Sequence, residues 1–213
     1  MGSRLDPQSY FIGIANIRNK FTHKLQECIL DIYRYPTFFN ISYKTDGIRI
    51  IKGENIDSYG NIDLKQQFDH IDSNTHDKFQ RTQLFYNDLV FTVRGLIGKV
   101  GIYKSTEAAN INANVIKIRL KNNVNADFLW YFFNTSIAKK LIENSSSGQV
   151  QKTITVKDIL NIPIPLPIFE KQNEIAENIQ AIRAKAMQLQ KKAREVQEKV
   201  KMEVEREIEK AEN

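Results

Sequence analysis

The segment Gly95-Leu96-Ile97-Gly98-Lys99 combines glycine and lysine in a way that superficially suggests a phosphate-binding loop. A P-loop also needs a glycine five residues before the second one and a hydroxyl side chain after the lysine, which cradle the phosphates and bind Mg²⁺. Val93 and Val100 occupy those positions. We therefore assign Gly95 and Gly98 to a tight turn or bulge between strands, and not to a nucleotide site.

The residues that usually bind metals or form disulfides also lack a suitable pattern. His23, His70 and His76 are scattered, with no cysteine or carboxylate at metal-ligand spacing. The single cysteine, Cys28, precedes the apolar pair Ile29-Leu30, which predicts a buried structural thiol in a cytoplasmic protein. We predict no bound metal and no cofactor.

Methyl transfer to a base would require an Asn/Asp-Pro-Pro-aromatic tetrapeptide and a cofactor-binding α/β domain. The nearest match is Asn161-Ile162-Pro163-Ile164, and isoleucine breaks it at the second position. The chain also has no apolar run of eighteen residues and no signal-peptide pattern at its start. We predict that the chain is not an enzyme, that it is cytoplasmic, and that any methyl transfer belongs to a partner.

The positive charge of the chain is concentrated in its first 168 residues. Residues 169–213 contain ten basic and ten acidic residues, so the whole net charge of +6 lies in residues 1–168. A basic globular part suits the phosphate backbone of a nucleic acid, because each neutralised phosphate releases counterions. Charge alone is weak support, since many basic proteins bind no nucleic acid.

Residues 169–213 have the pattern of a coiled-coil helix. They contain no proline or glycine and are rich in strong helix formers. Apolar residues recur at heptad spacing, which predicts a buried seam. No other stretch is regular enough to cover that seam, so the predicted partner is a second copy of the chain. The alternative is a solvated single helix held by i,i+4 ion pairs. The predicted dimerisation residues are Ile175, Ile179, Ile182, Ala186, Leu189, Ala193, Val196 and Val200.

In residues 1–168, short runs rich in Ile, Val, Phe and Tyr alternate with Asn, Asp and Gly. This alternation predicts strands at residues 48–52, 89–93, 99–103 and 115–120, with a turn at 57–61. Asp127 is predicted to cap a helix running to about Glu143, and Thr155 with Asp158 to cap a short helix. The predicted fold class is α+β: a twisted, mostly antiparallel β-rich globular domain with packed helices over residues 1–168, then one long coiled-coil helix over residues 169–213.

Several motifs in a fixed order resemble a target recognition domain of the specificity (S) subunit of type I restriction–modification systems. They are GIRIIKGENI at 47–56, NDLVFTVRGLIGK at 87–99, DFLWYFF at 127–133, SGQVQK at 147–152, and IPIPLP at 162–167 followed by EKQ at 170–172. The resemblance covers residues 20–200. Where the family usually has Gly-Asp, this chain has Asn87-Asp88, which keeps a turn-forming residue.

The resemblance implies that the chain acts in a complex with other chains. The usual family member carries two recognition domains and two spacer helices, and this chain carries one of each. A homodimer with antiparallel helices would restore two heads, which must then recognise a bipartite, palindromic site. The implied partners are double-stranded DNA, a second copy of the chain, and the methyltransferase (M) and restriction (R) subunits, with no membrane involved.

DNA recognition needs Arg, Lys, Asn or Gln at base edges, and cations around the phosphates. For each candidate taken singly, an ordinary solvated surface position is the simpler interpretation. The loop 145–152 is the preferred base-contacting element because it is polar and offers two glutamines, whereas the aromatic cluster 130–133 is assigned to packing. The predicted DNA-binding residues are Lys44, Arg49, Lys52, Arg81, Arg94, Lys99, Gln149, Gln151 and Lys152.

The hypothesis favoured by these patterns is a non-catalytic DNA sequence-specificity subunit. The alternative from another class is a coiled-coil scaffold protein whose globular head binds protein. Failure of the dimer to bind DNA at physiological salt would favour this alternative. A third hypothesis is an autonomous DNA-modifying enzyme, which cofactor-dependent methylation by the isolated chain would support.

Overall fold

The computed structural model describes residues 21–35, 41–95, 97–145 and 153–211. The chain divides into two units, residues 1–172, called the head below, and residues 173–213. Each unit is described by itself.

The described part of the head contains nine strands. In chain order they are β1 (His23–Lys24), β2 (Ile29–Arg34), β3 (Ile48–Ile51), β4 (Asp69–Ile71), β5 (Leu89–Thr92), β6 (Val100–Ile102), β7 (Ala109–Ile111), β8 (Val115–Leu120) and β9 (Pro163–Ile164).

These strands form three sheets. The largest has the order β2-β8-β5-β6 with every pair antiparallel, and β1 pairs antiparallel with β9. In the third sheet, of order β4-β3-β7, β3 is antiparallel to β4 and parallel to β7. The predicted mostly antiparallel α+β fold is confirmed, and the parallel pair is an addition that the sequence pattern did not indicate.

The core of the head explains why the four predicted strands form. All four residues of β5 are buried, and β5 lies between β8 and β6 as an interior strand with apolar neighbours on both faces. A cluster of buried residues joins it to the smaller sheet, including Ile51 of β3, Val90 of β5 and Ile111 of β7. Burying each such side chain contributes about 1.5–3 kcal/mol. The predicted strands agree with β3, β5, β6 and β8 to within one residue at each end.

Five helices accompany the sheets within the described residues. They are α1 (Ser73–Lys78), α2 (Ala126–Phe133), α3 (Ser136–Ser145), α4 (Val156–Leu160) and α5 (Phe169–Ala211). Short 3₁₀ turns occur at Leu25–Cys28, Gly53–Asn55 and Gln80–Thr82.

The prediction of one helix from Asp127 to about Glu143 was wrong in two respects. Asn125 is the N-cap, because its Oδ1 accepts a hydrogen bond from the Phe128 amide at 2.9 Å, while Asp127 forms an ion pair with Lys104 at 2.7 Å. The helix then stops at Phe133. Asn134 donates through Nδ2 to the Trp130 and Val100 carbonyls, and Thr135 Oγ1 accepts from the Ala138 amide, so the chain starts a second helix.

Two other local predictions are confirmed. In the turn at 57–61, Asp57 Oδ1 accepts from the amides of Tyr59 and Asn61 at 2.8 Å each, and Gly60 has φ +80°. At the start of α4, the Thr155 amide donates to Asp158 Oδ2 at 2.9 Å and the Asp158 amide donates to Thr155 Oγ1 at 3.2 Å. Both motifs form because short polar side chains satisfy nearby backbone amides.

Packing of the aromatic run in α2 is also as predicted. Trp130, Phe132 and Phe133 are buried, and the Trp130 indole Nε1–H donates to the Gly60 carbonyl at 2.9 Å. Phe133 packs edge-on against Phe91 of β5, with ring centroids 6.0 Å apart. These rings are part of the core and are not available for base stacking.

The second unit consists of α5, which begins in the head and spans 43 residues as one α-helix. The exposed fractions of four predicted seam residues are 69% for Ile182, 58% for Leu189, 59% for Val196 and 57% for Val200. A single copy of the chain therefore leaves this apolar row in water. None of the described helices combines the length and apolarity needed to cross a bilayer.

Candidate nucleic-acid interface

The parallel pairing of β3 and β7 brings two polar residues to one edge of the smaller sheet. Parallel strands end at the same edge. Lys52 follows the last residue of β3 and Asn112 follows the last residue of β7, with the Asn112 amide donating to the Ile51 carbonyl at 3.3 Å. The side chains of Lys52 and Asn112 therefore share a rim.

The larger sheet contributes three more polar residues to the same region. Arg34 ends β2, Arg94 follows β5 by two residues, and Asn114 immediately precedes β8. The Val93 amide donates to the Asn114 carbonyl at 2.9 Å, and Arg34 Nε donates to the Ala113 carbonyl at 3.4 Å. Residues 112–114 thus connect the two sheets and hold these ends together.

A groove of about 470 Å³ lies at this junction, and we call it the strand-end groove. Its walls are Tyr43, Lys52, Gly53, Glu54, Arg94, Gly95, Asn112 and Asn114. Such a set of cations, amides and a phenol can hydrogen-bond to phosphates and base edges.

Lys52 and Tyr43 are held in place by neighbouring groups. Lys52 forms an ion pair with Asp69 and another with Glu54 at 3.6 Å, and its Nζ lies 5.0 Å from the centroid of the Tyr43 ring. Partial burial opposes the charge of Lys52, but the carboxylates of Asp69 and Glu54 outweigh it and raise its pKa. Burial also raises the pKa of the Tyr43 hydroxyl, which is hydrogen-bonded to Asn112. Lys52 is therefore charged, with its charge already balanced.

Arg94 differs from Lys52 in having no counterion. Its side chain is exposed, and within residues 21–35, 41–95, 97–145 and 153–211 no carboxylate lies at ion-pairing distance from it. Its charged neighbour is Arg34, which is half-buried. Burial lowers the pKa of Arg34, and the positive charge of Arg94 lowers it further. The two side chains are therefore close enough for their positive charges to oppose each other.

The other predicted DNA-binding residues in the described part of the head have partners inside the protein. Lys44 pairs with Asp72 at 3.3 Å, Arg49 pairs with Glu107, and Arg81 pairs with Asp31 at 2.9 Å. Lys99 donates to the Ile56 carbonyl at 2.8 Å. Of the six predicted cations that the structure describes, Lys52 and Arg94 line the strand-end groove. Gln149, Gln151 and Lys152, with most of the preferred loop 145–152, lie outside the described residues.

The sequence analysis missed Arg34, Tyr43, Asn112 and Asn114. Arg34 ends a strand that had not been predicted, and the strand before Asn112 has three residues, too few to show a period. One signal was present. Asparagine occurs at 110, 112 and 114, directly before the predicted strand 115–120. Asparagine is common where the chain leaves a strand for a turn, as Asn112 and Asn114 do between β7 and β8.

The remaining sequence predictions about chemistry concern glycine, cysteine and metals. Gly95 and Gly98 adopt φ +74° and +83°, which confirms their assignment to backbone geometry. Cys28 is fully buried, and burial raises the pKa of its thiol to about 11, so the interpretation as a structural thiol is confirmed. Among the described residues, His, Cys, Asp and Glu do not form groups of three that could hold a metal.

Comparison with known proteins identifies the family. The sequence profile of the type I restriction modification DNA specificity domain matches residues 13–198. The chain belongs to this family. The family is defined by DNA specificity and not by catalysis, in agreement with the prediction that the chain is not an enzyme.

Specificity-domain relatives come from bacteria and archaea. The chain is 28% identical over 147 residues to the EcoBI specificity subunit of Escherichia coli, covering 68% of this chain and 31% of that protein. It is 27% identical over 187 residues to the MjaVIII specificity subunit of Methanocaldococcus jannaschii, covering 85% and 43%. The chain thus spans less than half the length of these relatives.

Solved structures of such subunits have the same fold. The HsdS subunit from Thermoanaerobacter tengcongensis superposes with a TM-score of 0.53 at 17% identity, covering 84% of this chain and 44% of that one. A chain from a study of complex assembly and conformational transition of the type I R-M system gives 0.57 at 17% identity, covering 85% and 46%. At this identity the likeness concerns the fold of the specificity domain alone.

Proposed function

We propose that this chain is the DNA sequence-specificity component of a type I restriction–modification system. In this role it binds double-stranded DNA, catalyses nothing itself, and positions the methyltransferase and restriction subunits on the site. Membership of the specificity-domain family is the observation that carries the proposal. The strand-end groove supports it, because cations and amides from both sheets line one concave surface.

In the proposed assembly, two copies pair through α5 as an antiparallel coiled coil in the cytoplasm. The exposed row of Ile182, Leu189 and Val196 supports this arrangement, since an apolar seam at heptad spacing is stable only when another surface covers it. A second copy offers an identical row, and a two-fold axis lets each row cover the other.

The symmetry of such a dimer determines the form of the DNA site. Two identical heads related by a two-fold axis recognise inverted copies of one half-site. The 43 residues of α5 span about 65 Å, close to two turns of duplex at about 34–36 Å per turn. We therefore expect a palindromic site in two parts, separated by a stretch of unrecognised sequence.

Footprinting of the chain in complex with its methyltransferase subunit tests the proposal. The expected result is two protected tracts of inverted, related sequence, with methylated positions in the host genome falling in the same two tracts. A single continuous tract would contradict the dimeric arrangement. If the complex ignores DNA at physiological salt, the specificity role is wrong and a protein-binding scaffold becomes the better interpretation.

A further inference from the structure

The polar side chains that line the strand-end groove differ in how far other groups of the head already bind them. Lys52 pairs with Asp69 and also with Glu54, at 3.6 Å for Glu54. Arg94 and Asn114 are exposed, and in the part of the chain that the structure describes neither side chain forms a hydrogen bond or an ion pair. These two groups are therefore available to a ligand in the groove.

The backbone of Asn114 is fixed although its side chain is not. Its amide donates to Asn112 Oδ1 at 3.0 Å, and its carbonyl accepts from the Val93 amide at 2.9 Å. The next residue, Val115, is fully buried and begins β8. Asn112 is held in turn, since its amide donates to the Ile51 carbonyl at 3.3 Å. The Asn114 carboxamide therefore extends from a rigid point of the junction between the two sheets, which suits a contact that must be placed accurately.

The chemistry of a carboxamide restricts what it can recognise. It offers an acceptor oxygen and an NH2 donor, so a partner must offer both a donor and an acceptor to satisfy it. A phosphate offers acceptors alone and would leave the Asn114 oxygen without a hydrogen bond in the interface, which is unfavourable. The guanidinium group of Arg94 carries donors alone and suits a phosphate. Asn114 thus suits a base edge better than the DNA backbone.

Among the base edges in the major groove, adenine matches a carboxamide best. It presents the N7 acceptor beside the N6 amino donor, whereas guanine presents two acceptors. We propose that Asn114 recognises an adenine of the half-site, with Nδ2 donating to N7 and Oδ1 accepting from the N6 amino group. Resting on the proposed function, this contact makes Asn114 a residue that determines which sequence is bound, and not only how tightly.

The test removes the N7 acceptor from one adenine at a time. Full-length chain, reconstituted with its methyltransferase subunit, is titrated with duplexes carrying the site mapped from methylated positions in the host genome. Each adenine on either strand of one half-site is replaced singly by 7-deazaadenine, which lacks the N7 acceptor and keeps its base pairing. Wild type should lose about tenfold in affinity at one of these adenines. A half-site without any A·T pair would contradict the proposal at once.

The same titrations with Asn114→Ala show whether Asn114 is the group that contacts N7. The variant should bind the unmodified site at least about tenfold more weakly, because both hydrogen bonds are lost. It should show no further loss with 7-deazaadenine at the adenine that Asn114 contacts, and the same losses as wild type at the others. Alanine allows both backbone hydrogen bonds of residue 114 to form, so thermal unfolding should show the head folded.

Two further variants distinguish base recognition from simpler effects. Asn122→Ala removes an exposed amide at the opposite end of β8 and should leave the affinity and the 7-deazaadenine series unchanged. Asn114→Asp keeps the shape of the side chain but replaces its donor with an acceptor, which can accept from the N4 amino group of cytosine. It should bind the adenine site more weakly than Asn114→Ala does, and its preference for adenine over cytosine at that position should fall.

The possible outcomes separate this contact from the function on which it depends. If wild type binds its site specifically but the losses from 7-deazaadenine and from Asn114→Ala add at every adenine, the adenine contact is wrong and the specificity role stands. If Asn114→Ala weakens binding to the site and to a random-sequence duplex equally, Asn114 contacts the backbone and the adenine contact is also wrong. If the wild-type complex prefers no sequence, both proposals are overturned.

Discussion

The head and α5 differ in how far their side chains are partnered within one chain. In the head, even buried charged groups such as Asp88 and Lys117 have partners within one chain, Asp88 with Arg119 and Lys117 with Asp31 at 3.0 Å. In α5, apolar residues such as Leu189 and Val196 face water with more than half of their surface. Within one chain, the charges named in the head are balanced, whereas the apolar row of α5 is left exposed, as the proposed dimer would require. Substitutions in each unit test that division.

Placing a charge in the seam of α5 should separate the proposed dimer and leave the head folded. In Leu189→Glu, two apolar side chains and their burial are lost per dimer, so we expect the dissociation constant to rise about a thousandfold, or about 4 kcal/mol. Sedimentation equilibrium measures this change. Gln188→Glu adds the same charge at an outer heptad position and should not change the dissociation constant. Equal weakening by both variants would mean that the seam is not the interface.

Adding a side chain at Gly60 should destabilise the head without affecting the proposed dimer. A Cβ there would lie 2.5 Å from Asn134 Nδ2 and 2.6 Å from Trp130 Nε1, and φ is +80°. We expect Gly60→Ala to cost about 4 kcal/mol of the unfolding free energy of the head. Gly95→Ala is the matched control, because φ is +74° but no described atom beyond the two neighbouring residues lies within 4 Å of the added Cβ. Chemical denaturation should show a cost of only about 1–2 kcal/mol there.

Alkaline pH should lower the unfolding free energy of the head because the buried Cys28 thiol resists ionisation. Burial, and secondarily the charge of Glu27, raises the pKa of this thiol from an ordinary 9.0 to about 11 in the folded state. Because the folded pKa is the higher one, the stability contribution is complete below pH 9 and is lost as pH rises towards 11. The loss amounts to about 3 kcal/mol. In Cys28→Ala, unfolding free energy plotted against pH should lack this decline, whatever its value at neutral pH. Parallel curves for both proteins would contradict the assignment.

A glycine at position 87 should be almost neutral. Asn87 adopts φ +72°, the left-handed conformation that glycine enters freely, and its Oδ1 accepts a hydrogen bond from Lys104 at 2.8 Å. Relief of the backbone cost and loss of that bond oppose each other in Asn87→Gly, so unfolding free energy should change by about 0.5 kcal/mol or less. Asn87→Ala has neither the backbone freedom of glycine nor the hydrogen bond of asparagine, and should be less stable than Asn87→Gly by about 1 kcal/mol. An alanine variant as stable as glycine would show that the conformation is not constrained.

Much of the fold could be predicted because its signals are local. The strand β8 is rich in Val, Ile and Leu, the start of α4 has its own capping box, and α5 has apolar residues at heptad spacing from Ile175 to Val200. The break after Phe133 could not be predicted, because Asn134 is held by the Val100 carbonyl, a group thirty-four residues away. Short strands such as β7 form because β3 pairs with them, and no period exists in three residues.

The candidate site was predictable only in part, for an electrostatic reason. A sequence shows where a cation stands and not what neutralises it. Arg49 and Glu107 are far apart in the chain, and so are Lys99 and the Ile56 carbonyl, so their partners became visible only in the fold. Arg94 looked no different from Arg49 in the sequence. The lack of a counterion that distinguishes it is a property of three-dimensional arrangement.

The pairing of β1 with β9 has a consequence for how new specificities can arise. His23 and Lys24 lie opposite Ile164 and Pro163, so the polypeptide enters and leaves the described head at neighbouring points. A module with adjoining entry and exit can be exchanged for another of the same family by recombination at two places, without stretching the flanking backbone. Evolution can thus replace the recognition module while conserving the segment that follows it.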